Sequence, residues 1–174
     1  LPFSKFYINT ILMLIGRVIG SVFFSAMAAY ACARLNFPGK NIFFGLVLFQ
    51  MMIPSQIFII PQFLFVQKLV LLNTVSALIV PGIVSAFGTF LLRQFFMGLP
   101  KDLEEAAKLD GCNTWQTFYK IMLPLSRSGL VALGIFTALF AFKDLMWPLI
   151  VNMSLDKMTL SAGLASLQGQ FTTN

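Results

Sequence analysis

Apolar residues fill four long blocks of the chain, at about 8–33, 42–66, 75–97 and 130–151, and polar residues collect between them. A helix needs about 20 residues to cross the hydrocarbon layer of a bilayer, and each block is long enough. Strands of about ten residues alternating apolar and polar, the mark of a membrane barrel, are not seen in the pattern. The blocks therefore predict an all-α, polytopic transmembrane helical bundle with four spans.

Composition agrees. Of 174 residues, 58% are hydrophobic and 10% charged, with a mean hydropathy of +0.86, whereas about a quarter of the residues of a soluble domain are charged. The connections set the orientation, because lysine and arginine accumulate on the cytoplasmic side. The first link carries Arg34 and Lys40 and the third Arg93, Lys101, Lys108, Lys120 and Arg127. Lys5, Lys68, Lys143 and Lys157 fall on the other side, with both chain ends, and Arg17 lies within the first span. A basic inner face against anionic lipid accounts for the net charge of +6 without a nucleic-acid partner. Cys32 and Cys112 map to the reducing side, and with no histidine in the chain they form no metal site. No cofactor is expected.

Punctuation within the spans carries further information. Pro54 and Pro61 should bend the second span. Gln50, Ser55, Gln56 and Gln62 near those prolines suit either packing between helices or a polar pathway. Gly16 and Gly20 make a small-xxx-small pair that lets a neighbouring helix come close. Arg17 needs a partner inside the bundle; no spacing names one, and Asp144 is a guess.

The exception to this oily background is the third link, at 100–125. Four of the chain's six acidic residues, Asp102, Glu104, Glu105 and Asp110, lie there within nine positions, where lipid would reject them. Pro100 suits the start of a short helix, Asp102 can cap it, and Glu104 and Glu105 complement the positive end of its dipole. Leu103, Ala106 and Ala107 share a face, Glu104 can pair with Lys108, and Gly111 supplies a left-handed stop. A second helix restarts at Asn113 or Thr114, stacks Trp115, Phe118, Tyr119 and Met122 on one side and ends at Pro124. The aromatic side is expected to dock on the chain's own spans. The acidic, alanine-lined side is expected to face a cytoplasmic protein.

These residues carry a family resemblance. Glu105-Ala106-Ala107, three residues, Gly111, nine residues, Ile121, one residue and Leu123-Pro124 is similar to the signature loop of the membrane subunits of binding-protein-dependent ABC importers. "AAYACARLNFPGKN" at 28–41, "MIPSQIFIIPQF" at 52–63 and "TLSAGLASLQGQF" at 159–171 resemble its carbohydrate-uptake, maltose-type branch. The resemblance implies one permease domain over 1–174, with the coupling loop at 100–125, in a bacterial or archaeal cytoplasmic membrane. It implies a transporter subunit and not an enzyme, and the chain holds no phosphate-binding G-x-x-x-x-G-K-[ST] loop of its own. Implied partners are a dimer of cytoplasmic ATP-binding subunits, a second permease subunit and an extracytoplasmic solute-binding protein, all around the lipid bilayer. The candidate coupling residues are Glu104, Glu105, Ala106, Ala107, Leu109, Asp110 and Gly111, of which Glu105, Ala106, Ala107 and Gly111 occupy motif positions.

The branch usually has six spans, so a first and a last span are expected to be missing here. Where its sugar permeases tend to read Trp-Asn-Asp/Glu, this chain reads Phe142-Lys143-Asp144 with Trp147 one turn later. Gln50, Gln56, Lys143, Asp144 and Trp147 are the candidates for the translocation pathway, with interfacial anchoring the alternative for Lys143 and Trp147. A permease for a phosphodiester, peptide or ion would keep the loop and change the pathway. A channel or membrane enzyme fits poorly, because the clustered carboxylates have no nucleophile or base beside them.

Overall fold

The structure, a computed structural model, describes residues 3–171; the domain expected over 1–174 runs beyond them at both ends. Every described element is helical. Helix α1 (Phe3–Arg34) is 32 residues long and continuous, as the first block predicts. Its polarity is inverted relative to a soluble helix. Asn9, Thr10, Arg17, Ser21 and Ser25 are buried, whereas Ile8, Ile11, Leu12, Ile15 and Ile19 are exposed. Isoleucine and leucine facing outward and polar groups facing inward are what lipid as solvent selects.

The other blocks break. The second divides into α2 (Lys40–Met52) and α3 (Ile59–Lys68), with a 3-10 turn at Ser55–Phe58 between them. Pro54 lies at the break, while Pro61 falls in the first turn of α3, where its missing N–H costs nothing. The third block divides into α4 (Val75–Ile79), a 3-10 turn at Val80–Gly82, and α5 (Ala86–Gly98), which Ser85 caps through a bond from the Gly88 N–H. Pro81 and Gly82 lie at that unforeseen break. Beyond α5 come α6 (Asp102–Leu109), α7 (Thr114–Thr117), a π-helical turn at Phe118–Met122 and α8 (Leu123–Leu125). Helix α9 (Arg127–Lys143) then stops before Asp144, and α10 (Met146–Val151) restarts after it. A 3-10 turn at Leu155–Lys157 leads to α11 (Leu160–Phe171). Among the described residues, α1 alone is long and apolar enough to cross a membrane unaided, and up to four spans result if each bent helix pair counts as one.

The chain packs as two compact units. The first takes the chain through Gly20, Pro54–Ile83 and the chain from Phe136 onward. Its core holds Met13, Val66, Ala77, Leu78, Ala141, Trp147 and Val151. Gly16 and Gly20 do permit close approach here: a Cβ on Gly20 would lie 2.6 Å from Ile83 Cγ2, and one on Gly16 2.6 Å from Ile79 Cδ1. Buried amides secure the loop after α10. Asn9 Nδ2 donates to the carbonyls of Asp156 and Met158, both at 3.0 Å, and Asn152 Nδ2 donates to those of Thr74 and Lys157.

The second unit takes Ser21–Ile53 and Val84–Ile135. Ala26, Ala29, Tyr30, Leu92, Phe96, Phe118, Met122 and Leu133 form its core. Helix α2 packs on α5, with Phe44 and Phe90 stacked and the Arg93 guanidinium 3.9 Å from the centre of the Phe44 ring. The whole 100–125 loop belongs to this unit.

Candidate functional site

The loop is a pair of short helices with built-in stops. Asp102 is the first residue of α6 and does not cap it. Lys101 occupies the cap position with no side-chain bond, and its carbonyl accepts from the N–H groups of Glu104 and Glu105. Three carboxylates in the first turn still complement the helix dipole. The far end is a Schellman turn: the Cys112 N–H donates to the Ala107 carbonyl at 2.9 Å and the Gly111 N–H to that of Lys108 at 3.1 Å. Gly111 adopts φ +80°, the left-handed conformation expected of it. Helix α7 starts with a capping box. The Gln116 N–H donates to Asn113 Oδ1 at 2.8 Å, and the Asn113 N–H donates to Gln116 Oε1 at 2.9 Å.

Two faces emerge, divided differently from the expectation. On the aromatic side, Phe118 and Met122 enter the core of the second unit, with Phe118 5.1 Å from Tyr30 between ring centres. Trp115 and Tyr119 stay about half exposed. On the α6 side, Ala107 is only 3% exposed and packs inward, so its side chain offers nothing to a partner. Glu105, Ala106, Asp110 and Gly111 are exposed, and Leu109 is exposed to 89%. The outward face is therefore Glu105, Ala106 and Leu109 running into Asp110 and Gly111. Leu109 adds apolar area to that face.

Glu104 also turns inward. Its partner is Arg34 rather than Lys108, with Glu104 Oε1 3.7 Å from Arg34 Nε and the carboxylate side chain 14% exposed. At that separation the charges attract without a hydrogen bond, and Glu104 Oε1 accepts none among the described residues. Arg34 meanwhile donates from Nε and Nη2 to the Phe96 carbonyl, at 3.0 and 2.5 Å, and from Nη2 to that of Leu99. By sequence Arg34 is one cytoplasmic charge among several, and its place in the last turn of α1 is the signal that it can bind helix-end carbonyls.

The pathway candidates divide between the two units. Gln50 lies exposed on α2 in the second unit, and Gln56 lies exposed on the 3-10 turn of the first. Lys143 is exposed in the last turn of α9. Asp144 accepts from Arg17 Nη1 at 2.9 Å through Oδ2 and from the Trp147 N–H at 3.3 Å through Oδ1. Arg17 thus has the acidic partner that sequence spacing could not name. Its Nε also donates to the Leu78 carbonyl at 2.6 Å. Trp147 is 5% exposed and its indole N–H donates to the Ala77 carbonyl at 2.9 Å. The ring is thus spent on packing α10 against α4 and presents almost no surface to a solute. Among the described residues no group of three potential ligands could hold a metal ion.

With the helical fold, the bent helix pairs and the Schellman-terminated loop in place, comparison with known proteins places the chain in a class. It belongs to the family described as "Binding-protein-dependent transport system inner membrane component", whose model matches residues 21–171. The chain is 43% identical over 166 residues to the arabinooligosaccharides transport system permease protein AraQ of Halalkalibacterium halodurans, covering 95% of this chain and 60% of that protein. It is 35% identical over 166 residues to the sn-glycerol-3-phosphate transport system permease protein UgpE of Yersinia pestis bv. Antiqua, covering 95% of this chain and 59% of that protein. A crystal structure of a bacterial ABC transporter involved in the import of the acidic polysaccharide alginate superposes with a TM-score of 0.86 at 26% identity, over 99% of this chain and 64% of that one. The chain thus spans about three fifths of the length of the curated relatives it matches.

Proposed function

We propose that the chain is the multi-pass membrane permease of an ATP-driven importer of carbohydrates in a cytoplasmic membrane, supplying half of the translocation pathway. In this reading, α6 seats in a cytoplasmic ATP-binding subunit through Glu105, Ala106 and Leu109. Closure of the ATPase dimer moves the permease and a second permease subunit between inward- and outward-facing states, and an extracytoplasmic binding protein delivers solute. The observation that carries it is the outward face of α6, which ends in the left-handed Gly111 turn and leaves Glu105, Ala106 and Leu109 exposed together.

The test is disulfide or maleimide crosslinking in inverted vesicles containing the co-expressed ATP-binding subunit. A cysteine at Ala106 or Leu109 should crosslink to that subunit, and one at Ala107 should react at least about tenfold more slowly because it is buried. Labelling of Ala106→Cys only from the outer side would overturn both the orientation and the coupling role. A second reading, an organophosphate solute, draws support from the glycerol-phosphate relative. Uptake of a labelled arabino-oligosaccharide against labelled sn-glycerol-3-phosphate by the assembled transporter separates the two.

A further inference from the structure

Only Leu99, Pro100 and Lys101 separate the end of α5 from the start of α6, and α5 ends in Gly98 with open space around it. Such a link can hinge, and a hinge would absorb any displacement of α6 before it reached the long helices. Arg34 spans that link. Its guanidinium holds the carbonyls of Phe96 and Leu99 on one side and faces the Glu104 carboxylate on the other, from the last turn of α1. The arginine side chain is 5% exposed, and Glu104 Oε1 is buried with no hydrogen bond among the described residues.

Two facing charges largely withdrawn from water resist separation, because each would be left uncompensated. A carbonyl-bonded guanidinium also cannot follow α6 without dragging the end of α5 with it. We propose that Arg34 and Glu104 form a strut that carries displacement of α6 across the Leu99–Lys101 link into the ends of α1 and α5. Both are positioning residues: neither lies on the outward face of α6. The strut deepens the coupling role proposed above and rests on it.

Hydrogen exchange of the assembled transporter in nanodiscs, compared without nucleotide and with ATP plus vanadate, tests the strut. In the wild type, amides of α6 and those near residues 29–34 and 94–99 should change protection together. In Glu104→Gln, which keeps the shape and removes the charge, α6 should still respond while the response at 29–34 and 94–99 falls at least about threefold. Arg34→Lys should do the same, since a single ammonium cannot replace the planar fork. A full response at those ends in both variants overturns the proposal. So does a loss of protection there that is equal in the two nucleotide states, the signature of a merely structural contact. If wild-type α6 does not respond to ATP and vanadate, the coupling role itself falls, and the strut with it.

Discussion

Asp144→Asn should destabilise the protein far more than its modest exposure suggests. Arg17 is 9% exposed, and the ion pair's side chains are 10% and 26% accessible. The asparagine keeps the shape and can still accept from the Trp147 N–H, but the guanidinium is left with only the Leu78 carbonyl. Gly82 removes the easiest relaxation, since even a Cβ there would lie 2.8 Å from Arg17 Cδ. Breaking a buried pair from one side costs about 3–5 kcal/mol. The partial exposure of Asp144 points to the lower end, about 3 kcal/mol. Adding Arg17→Met removes the stranded charge, so the double variant should regain about 2 kcal/mol over Asp144→Asn alone. SDS titration of the purified permease in mixed micelles, run as a double-mutant cycle, measures both quantities. If Asp144→Asn lies within about 1 kcal/mol of wild type, or if the two effects simply add, the pair does not hold the first unit together as argued.

Gly111 can be tested by side-chain series. A Cβ there meets nothing within 4 Å, so the cost of substitution is the left-handed φ alone, about 1 kcal/mol for alanine and more for a β-branched residue. Under the proposed function, ATP-driven uptake by the assembled transporter should fall in the order Asn, Ala, Val, and wild-type uptake by Gly111→Val would refute the proposed coupling turn. Lys5 Nζ donates to Asp156 Oδ1 at 2.8 Å, and that bond, then the lysine charge, lowers the Asp156 pKa below the usual carboxylate value. A depressed folded-state pKa means that the pair contributes above the unfolded value of about 3.9 and loses its contribution as pH falls through the folded one. The stability difference between wild type and Lys5→Met should therefore be present at neutral pH, small because both groups face solvent, and should vanish in acid. A difference unchanged at about pH 2 would contradict the assignment.

Much of this protein was legible from local pattern. Block length and polarity predict helices in lipid, and α1 follows its block from end to end. The Gly111 stop and the Asn113 cap follow from chemistry confined to a few neighbouring residues. Where local signs competed, they misled. Asp102 looks like a cap, yet Lys101 takes the position; Glu104 has Lys108 one turn away, yet it turns to Arg34. The pairing of Asp144 depends on Arg17, 127 residues away, and the inward turn of Trp147 on the Ala77 carbonyl, 70 residues away.

Apolar run length and cap chemistry act within a turn or a span, so the sequence alone determined solvent, helix class and the stops of the 100–125 loop. Which face of α6 is buried and which charges pair were decided by tertiary structure. A buried charge must find its counter-charge wherever the fold brings one, and no spacing along the chain encodes that meeting.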